Sequence, residues 1–146
     1  MQYIRDIWIH MKAVLRSARQ VVNAELASLN LTGAEGDILF HLLSADGGLS
    51  QEKLAERLDV GKAAVSRTLN SLAVKGYIHR ERQPDDSRIY RVTLTEAARD
   101  AGEKIENAYK TVYESSLRGI SESEFRNLNK LLEKVYDNLN SRGQER

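Results

Sequence analysis

The sequence predicts a mainly α-helical fold with one small β-hairpin. Apolar residues recur at helical spacing before residue 77 and after residue 95, and between these limits the period drops from 3.6 to 2. The only proline, Pro84, falls in the polar stretch that joins the two period-2 runs. With 146 residues, 41% of them hydrophobic and 29% charged, the chain has the make-up of one globular domain with a real core. It is read as one integrated domain in three segments, 1–31, 32–95 and 96–146.

The first helix is expected over Ile4 to Leu29. Ile4, Ile7, Trp8, Met11, Leu15, Ala18, Val22, Leu26 and Leu29 share one face. It is long against the globular average of about 11–12 residues. Thr32 and Glu35 have the spacing of a capping box, in which each side chain satisfies the other's free backbone N–H. They open a second helix with Ile38, Leu39, Leu42 and Leu43 inward, ended by Asp46-Gly47-Gly48. Ser50 caps a short third helix, Gln51 to Leu58. A tight turn, Asp59-Val60-Gly61, leads to a fourth helix over Lys62 to Lys75, with Val65, Leu69, Leu72 and Ala73 buried. Gly76 stands where a helix commonly turns left-handed.

Tyr77 to Arg82 and Ile89 to Leu94 alternate as strands, with Ile78, Tyr90, Val92 and Leu94 on one face. Residues 83–88 have the chemistry of a hairpin tip. Thr95 caps a fifth helix that runs on to Gly119. Ser121 and Glu124 form a second capping box, before a sixth helix bearing Phe125, Leu128, Leu131, Leu132, Val135, Tyr136 and Leu139.

Charge and residue type exclude several function classes. There is no cysteine, so disulfides, thiolate metal sites and thiol switches are absent. His10, His41 and His79 are scattered over three elements, and neither a phosphate loop nor a nucleophile elbow is present. No cofactor, no metal and no catalytic residue are expected. No apolar run reaches the roughly 20 residues of a membrane span, and the opening MQYIRDIWIHMK lacks a secretory pattern, so a cytoplasmic location is expected.

The net charge of +1 hides an asymmetry: residues 49–95 carry +3, and each flank carries −1. A basic centre suits a polyanion. Two short helices joined by a tight turn have helix-turn-helix geometry. The second of them offers Lys62, Ala63, Ser66, Arg67, Asn70, Ser71 and Lys75 off its apolar face, and none of these is acidic. Small residues let such a helix approach base edges in a major groove, where a guanidinium or amide then finds its partners. Arg80, Arg82, Arg88 and Arg91 crowd the hairpin, with Arg88 at the tip, where an arginine can enter a narrow minor groove. Asp86 is placed to hold Arg88 extended.

The run from Leu58 to Ala98 resembles the winged helix-turn-helix of MarR-type transcriptional regulators. The resemblance rests on Val65-Ser66-Arg67-Thr68-Leu69, on Lys75-Gly76-Tyr77-Ile78, and on Asp85-Asp86-Ser87-Arg88 leading to Val92-Thr93-Leu94-Thr95. Length and helix order fit across nearly the whole chain. The resemblance implies a homodimer built from the first and C-terminal helices, and double-stranded operator DNA as partner. It implies that Arg67 reads bases, that Arg88 enters the minor groove with Asp86 positioning it, and that Ser50 and Gln51 touch phosphate. It also implies a small aromatic effector, for which Trp8, His10 and His41 are the candidate lining. The family often carries glycine where Ala98 stands, which leaves the turn after the wing open. The expected function is that of a ligand-responsive repressor. The alternative is a winged module that binds protein or RNA. A small helical enzyme is disfavoured, because no acid, base and nucleophile converge.

Overall fold

The computed structural model describes residues 1–45, 48–86 and 89–142. They form two compact units, Met1–Val112 and Tyr113–Arg146. The order of elements is α1 (Gln2–Leu26), a 3₁₀ turn (Ala27–Leu29), α2 (Gly33–Leu43), β1 (Leu49–Ser50), α3 (Gln51–Leu58) and α4 (Lys62–Val74). Then come β2 (Ile78–Arg82), β3 (Tyr90–Leu94), α5 (Glu96–Asp100), α6 (Gly102–Ser116) and α7 (Glu122–Ser141). The mainly α fold with a hairpin is as the periodicity predicts.

α1 stops because the chain tightens into the 3₁₀ turn and Asn30 takes a left-handed conformation, φ 56°. Thr32 and Glu35 form the expected capping box, with Glu35 N–H donating to Thr32 Oγ1 at 3.2 Å and Thr32 N–H to Glu35 Oε1 at 2.9 Å. α2 ends at Leu43, earlier than its expected stop, and Asp46 and Gly47 lie outside the described residues. Ser50 caps α3, its Oγ accepting from Lys53 N–H at 3.0 Å.

The core of the first unit joins α1, α2, α3, α4, the sheet and α6. Leu26, Ile38, Leu39, Leu42, Leu54, Leu69, Leu72 and Ile105 are fully buried in it. Truncating one such leucine to alanine costs about 2–5 kcal/mol.

Three features of this unit depart from the sequence reading. β1 is an unexpected third strand. It pairs antiparallel with β3, Leu49 opposite Val92 and Ser50 opposite Arg91, and puts β3 in the centre of the sheet. Two residues are too few to show a period. The single long fifth helix is instead two helices, α5 and α6, broken at Ala101-Gly102. A Cβ on Gly102 would lie 3.1 Å from Leu43 Cδ2, so the break falls where the backbone must pass close to α2. Ala73, expected inside, is exposed, because the core contacts of α4 end at Leu72. In keeping with the length of α1, only its Val22 and Leu26 are buried, while Ile4, Ile7, Trp8 and Leu15 stand exposed.

The second unit consists of the end of α6, a turn with Gly119 at φ 71°, and α7. Ser121 and Glu124 cap α7 reciprocally, as expected. No residue of α7 is buried, and its apolar side chains Leu128, Leu131, Leu132, Val135, Tyr136 and Leu139 are exposed.

Candidate nucleic-acid interface

α3 and α4 meet through a turn that Asp59 makes possible. Its backbone is left-handed, φ 50° and ψ 48°, and its N–H reaches back to the carbonyls of Ala55 and Glu56. Asp tolerates this region better than most residues. Gly61 then precedes α4 without any side-chain cap. The first N–H groups of α4 therefore have no side-chain acceptor, which leaves them open to an anion.

The open face of α4 presents Lys62, Ala63, Arg67 and Asn70 exposed, with Ser66 half-buried beside them. Arg67 has no hydrogen-bond partner among the described residues. Lys62 makes only a loose pair with Glu52, at 3.9 Å between two exposed groups, worth little in water. Asn70 Oδ1 accepts from Arg80 at 2.5 Å, which turns the amide's NH₂ away from the wing. Two residues that the helical period puts with this face do not belong to it: Ser71 and Lys75 turn to the buried carboxylate of Glu35, at 3.0 and 2.8 Å.

The wing is a regular antiparallel pair in which Ile78 faces Leu94, Arg80 faces Val92 and Arg82 faces Tyr90. Ile78, Tyr90, Val92 and Leu94 do share a face, and Arg80 and Arg82 share it too. Both guanidiniums lie over the Tyr90 ring, at 5.6 and 5.5 Å from its centroid, and Arg82 Nε donates to the Tyr90 hydroxyl at 3.2 Å. Tyr90 thus stiffens two arginine stems and leaves each head's remaining donors outward. The hairpin closes through Gln83 N–H to Ile89 O at 2.8 Å and Ile89 N–H to Asp86 O at 3.0 Å. Asp86 is half-buried at the tip. Ser87 and Arg88 lie outside the described residues, as therefore does the expected contact between Asp86 and Arg88.

Ser50 uses its hydroxyl as the cap of α3, so its capacity to donate to phosphate is what remains free. Gln51 lines a cleft of about 140 Å³ with Glu52, Lys62, Ile89 and Tyr90. Its Oε1 is buried without a hydrogen-bond partner. Only its NH₂ group could serve a phosphate oxygen, which accepts and does not donate.

Trp8 and His10 stand exposed near the start of α1, and His41 is half-buried on α2 with its ring edge to Phe40 at 6.2 Å between centroids. α1 and α2 run antiparallel, with Asn23 bonded to Gly33 and Arg19 to Asp37. Continuing that register sets His41 beside Leu15, and Trp8 lies about 10 Å further along α1 at 1.5 Å per residue. Sequence reading missed a cluster closer to the winged unit. Asp37 takes the Tyr109 hydroxyl at 2.5 Å and the Arg19 guanidinium at 2.7 Å, and Phe40 stacks on Tyr109 at 4.3 Å. Asp37 reads as an ordinary solvated position in α2, and the long separation from Tyr109 leaves no local signal.

Fold and surface define a winged helix-turn-helix protein: a helix-turn-helix, a basic second helix and an arginine-bearing hairpin. Residues 29–89 match the model of the MarR family. It is 29% identical over 128 residues to the uncharacterized HTH-type transcriptional regulator YdgJ of Bacillus subtilis (strain 168), covering 87% of this chain and 77% of that one. The transcriptional regulator SlyA has a similar structure at 25% identity, with a TM-score of 0.82 over 92% of this chain and 94% of its own. A mutant of MarR from E. coli, complexed with operator DNA, shares the fold with a TM-score of 0.79 at 24% identity, over 91% of this chain and 95% of that one. No helix among the described residues is long and apolar enough to cross a membrane.

Proposed function

We propose that this chain is a regulator of the MarR type, a sequence-specific, ligand-responsive repressor that binds double-stranded DNA as a homodimer. The observation that carries the reading is the open face of α4. It is basic and small, has no acid, begins at an uncapped helix N-terminus, and lies beside a wing on which Arg80 and Arg82 stack on Tyr90. Arg67 reads base edges in the major groove, with Lys62, Ala63, Ser66 and Asn70 around it. Ser50 and Gln51 approach phosphate. Arg82 and Arg88 follow the adjacent minor groove, and Asp86 steadies Arg88.

The segments 1–31 and 96–146 supply the dimer contact, and 32–95 is the DNA-binding unit. The exposed apolar stripes of α1 and of α7 support this, because monomers rarely leave such stripes uncovered. A small aromatic effector near Trp8, His10 and His41 completes the proposal. Its support is an indole and an imidazole on α1 and a second imidazole on α2.

Footprinting on a pseudo-palindrome tests the proposal. Two-fold symmetry requires half-sites about one helical turn, roughly 10 bp, apart. Five extra base pairs between them should abolish protection of one half. Unchanged protection of both would refute symmetric docking. Binding to a protein or RNA that duplex DNA does not compete would favour the other reading.

A further inference from the structure

Three consecutive residues at the exit of α4 are tied to the turn after α1, to the first turn of α2 and to the residue that caps α5. Lys75 Nζ donates to Asn30 O at 2.7 Å, where the turn after α1 ends, and to Glu35 Oε1 at 2.8 Å in the first turn of α2. The other oxygen of Glu35 accepts from Ser71, one turn earlier on α4, at 3.0 Å. Gly76 O accepts from the hydroxyl of Thr95 at 2.7 Å, and Tyr77 O accepts from Thr95 N–H at 3.1 Å. Thr95 is the residue that caps α5. The Tyr77 hydroxyl donates to Leu29 O at 3.1 Å.

The backbone is specialised at the same place. Asn30 and Gly76 both have positive φ, 56° and 81°, so α1 and α4 each terminate here. The carbonyls of Leu29 and Asn30 are of the kind that a helix end leaves unsatisfied. Water could serve them. Instead they are satisfied by side chains from the end of α4 and the start of the wing. Glu35 is 3% exposed, and its carboxylate serves this joint and the capping box of α2 together.

We infer that residues 75–77 are a joint through which the segments before and after the winged unit set the direction of α4, with Lys75, Tyr77, Glu35 and Thr95 as positioning residues for operator geometry. The inference rests on the DNA-binding reading above. α4 has 13 residues, so it is about 20 Å long at 1.5 Å per residue. A swing of about 10° at its C-terminal joint moves its N-terminal end by roughly 3 Å. That equals about one base-pair step along the duplex axis, roughly 3.4 Å. It also exceeds the tolerance of a base-edge hydrogen bond, which spans about 2.7–3.2 Å. A loosened joint therefore blurs half-site spacing before it removes any DNA contact.

The experiment is a binding titration of the full-length protein against operators whose half-site spacing is native, one base pair longer or one shorter. Wild type should lose about tenfold or more on either altered spacing. Lys75→Met and Tyr77→Phe should bind the native spacing more weakly and lose less than about threefold on the altered ones. Lys75→Arg, which keeps both donations, should restore the wild-type ratio. A role confined to stability would lower affinity on all three operators by one factor. Variants that keep the wild-type ratio therefore overturn the inference. Tyr77→Phe removes a single hydroxyl, so it decides the matter if Lys75→Met proves unfolded by circular dichroism. Wild-type protein that binds no operator at any spacing overturns the DNA-binding reading, and this inference with it.

Discussion

Replacing Leu131 with Glu should separate the proposed homodimer. Leu131 is 49% exposed on α7, within a stripe of six apolar side chains whose exposures run from 38% at Leu132 to 61% at Tyr136. Fully burying a leucine is worth about 1.5–3 kcal/mol, so covering the exposed half of each yields about 1 kcal/mol. Six side chains on each of two protomers give roughly 12 kcal/mol, which is comparable to the 4–15 kcal/mol cost of association. The stripe on α1 supplies the surplus. Leu131→Glu removes about 2 kcal/mol per dimer and places two carboxylates in a dry contact, each costing several kcal/mol more. A net loss of at least about 4 kcal/mol raises the dimer dissociation constant roughly a thousandfold. Leu131→Ala should raise it only about thirtyfold. Sedimentation equilibrium at micromolar concentration reads both, against an expected wild-type mass of twice 16.5 kDa. Circular dichroism confirms retained helix. A Leu131→Glu protein that stays dimeric with unchanged affinity would refute the assignment of this stripe to the interface.

Three further outcomes are expected. Burial alone would raise the Glu35 carboxyl, but hydrogen bonds from Lys75, Thr32 and Ser71 outweigh it and hold the group below its ordinary value of 4.5. Its contribution to stability is therefore complete above about pH 4.5 and is lost as pH falls through the lower folded-state value. Urea midpoints of wild type should drop more steeply below that pH than those of Glu35→Gln, and parallel curves would contradict it. Ser121→Ala removes the cap of α7 and should cost about 1 kcal/mol, lowering the melting temperature by about 3 °C, whereas Ser123→Ala next to it should change it little. Dilute peroxide should produce no reductant-reversible release of DNA, because the chain has no cysteine; reversible release in a gel-shift assay would reject the ligand-responsive reading.

The elements that were legible from sequence are those with a local cause. The capping boxes at Thr32 and Ser121, the cap at Ser50 and the left-handed Gly76 each depend on residues a few positions apart, and all stand where spacing puts them. Long-range causes left little trace. The break at Gly102 answers to Leu43, and β1 exists only because Leu49 and Ser50 meet β3. Lys75 illustrates the same limit within the interface. Helical period assigns it to the open face of α4, but a buried carboxylate 40 residues earlier draws it away. The exposed apolar residues of α1 and α7 were legible as apolar, and their excess over one core was legible too. Which of them a single chain would bury was not, since periodicity gives a face and not its partner. Arg67, Lys62 and Asn70 were placed correctly on an exposed face because Val65, Leu69 and Leu72 fix the rotation of the helix.

The claim at the centre of this account is that the open face of α4 reads DNA sequence. An anisotropy titration of wild type and Arg67→Ala, against an operator series with each base pair substituted in turn and at two salt concentrations, tests it most directly. Arg67→Ala should lose about 1–3 kcal/mol per half-site and should cease to discriminate at one base position, with discrimination intact elsewhere. Arg88→Ala, measured beside it, should weaken binding evenly across the series and reduce the salt slope by about one for each lost phosphate or groove charge. If Arg67→Ala kept wild-type affinity and wild-type discrimination at every position, α4 would not be the reading element, and the account would fail at its base.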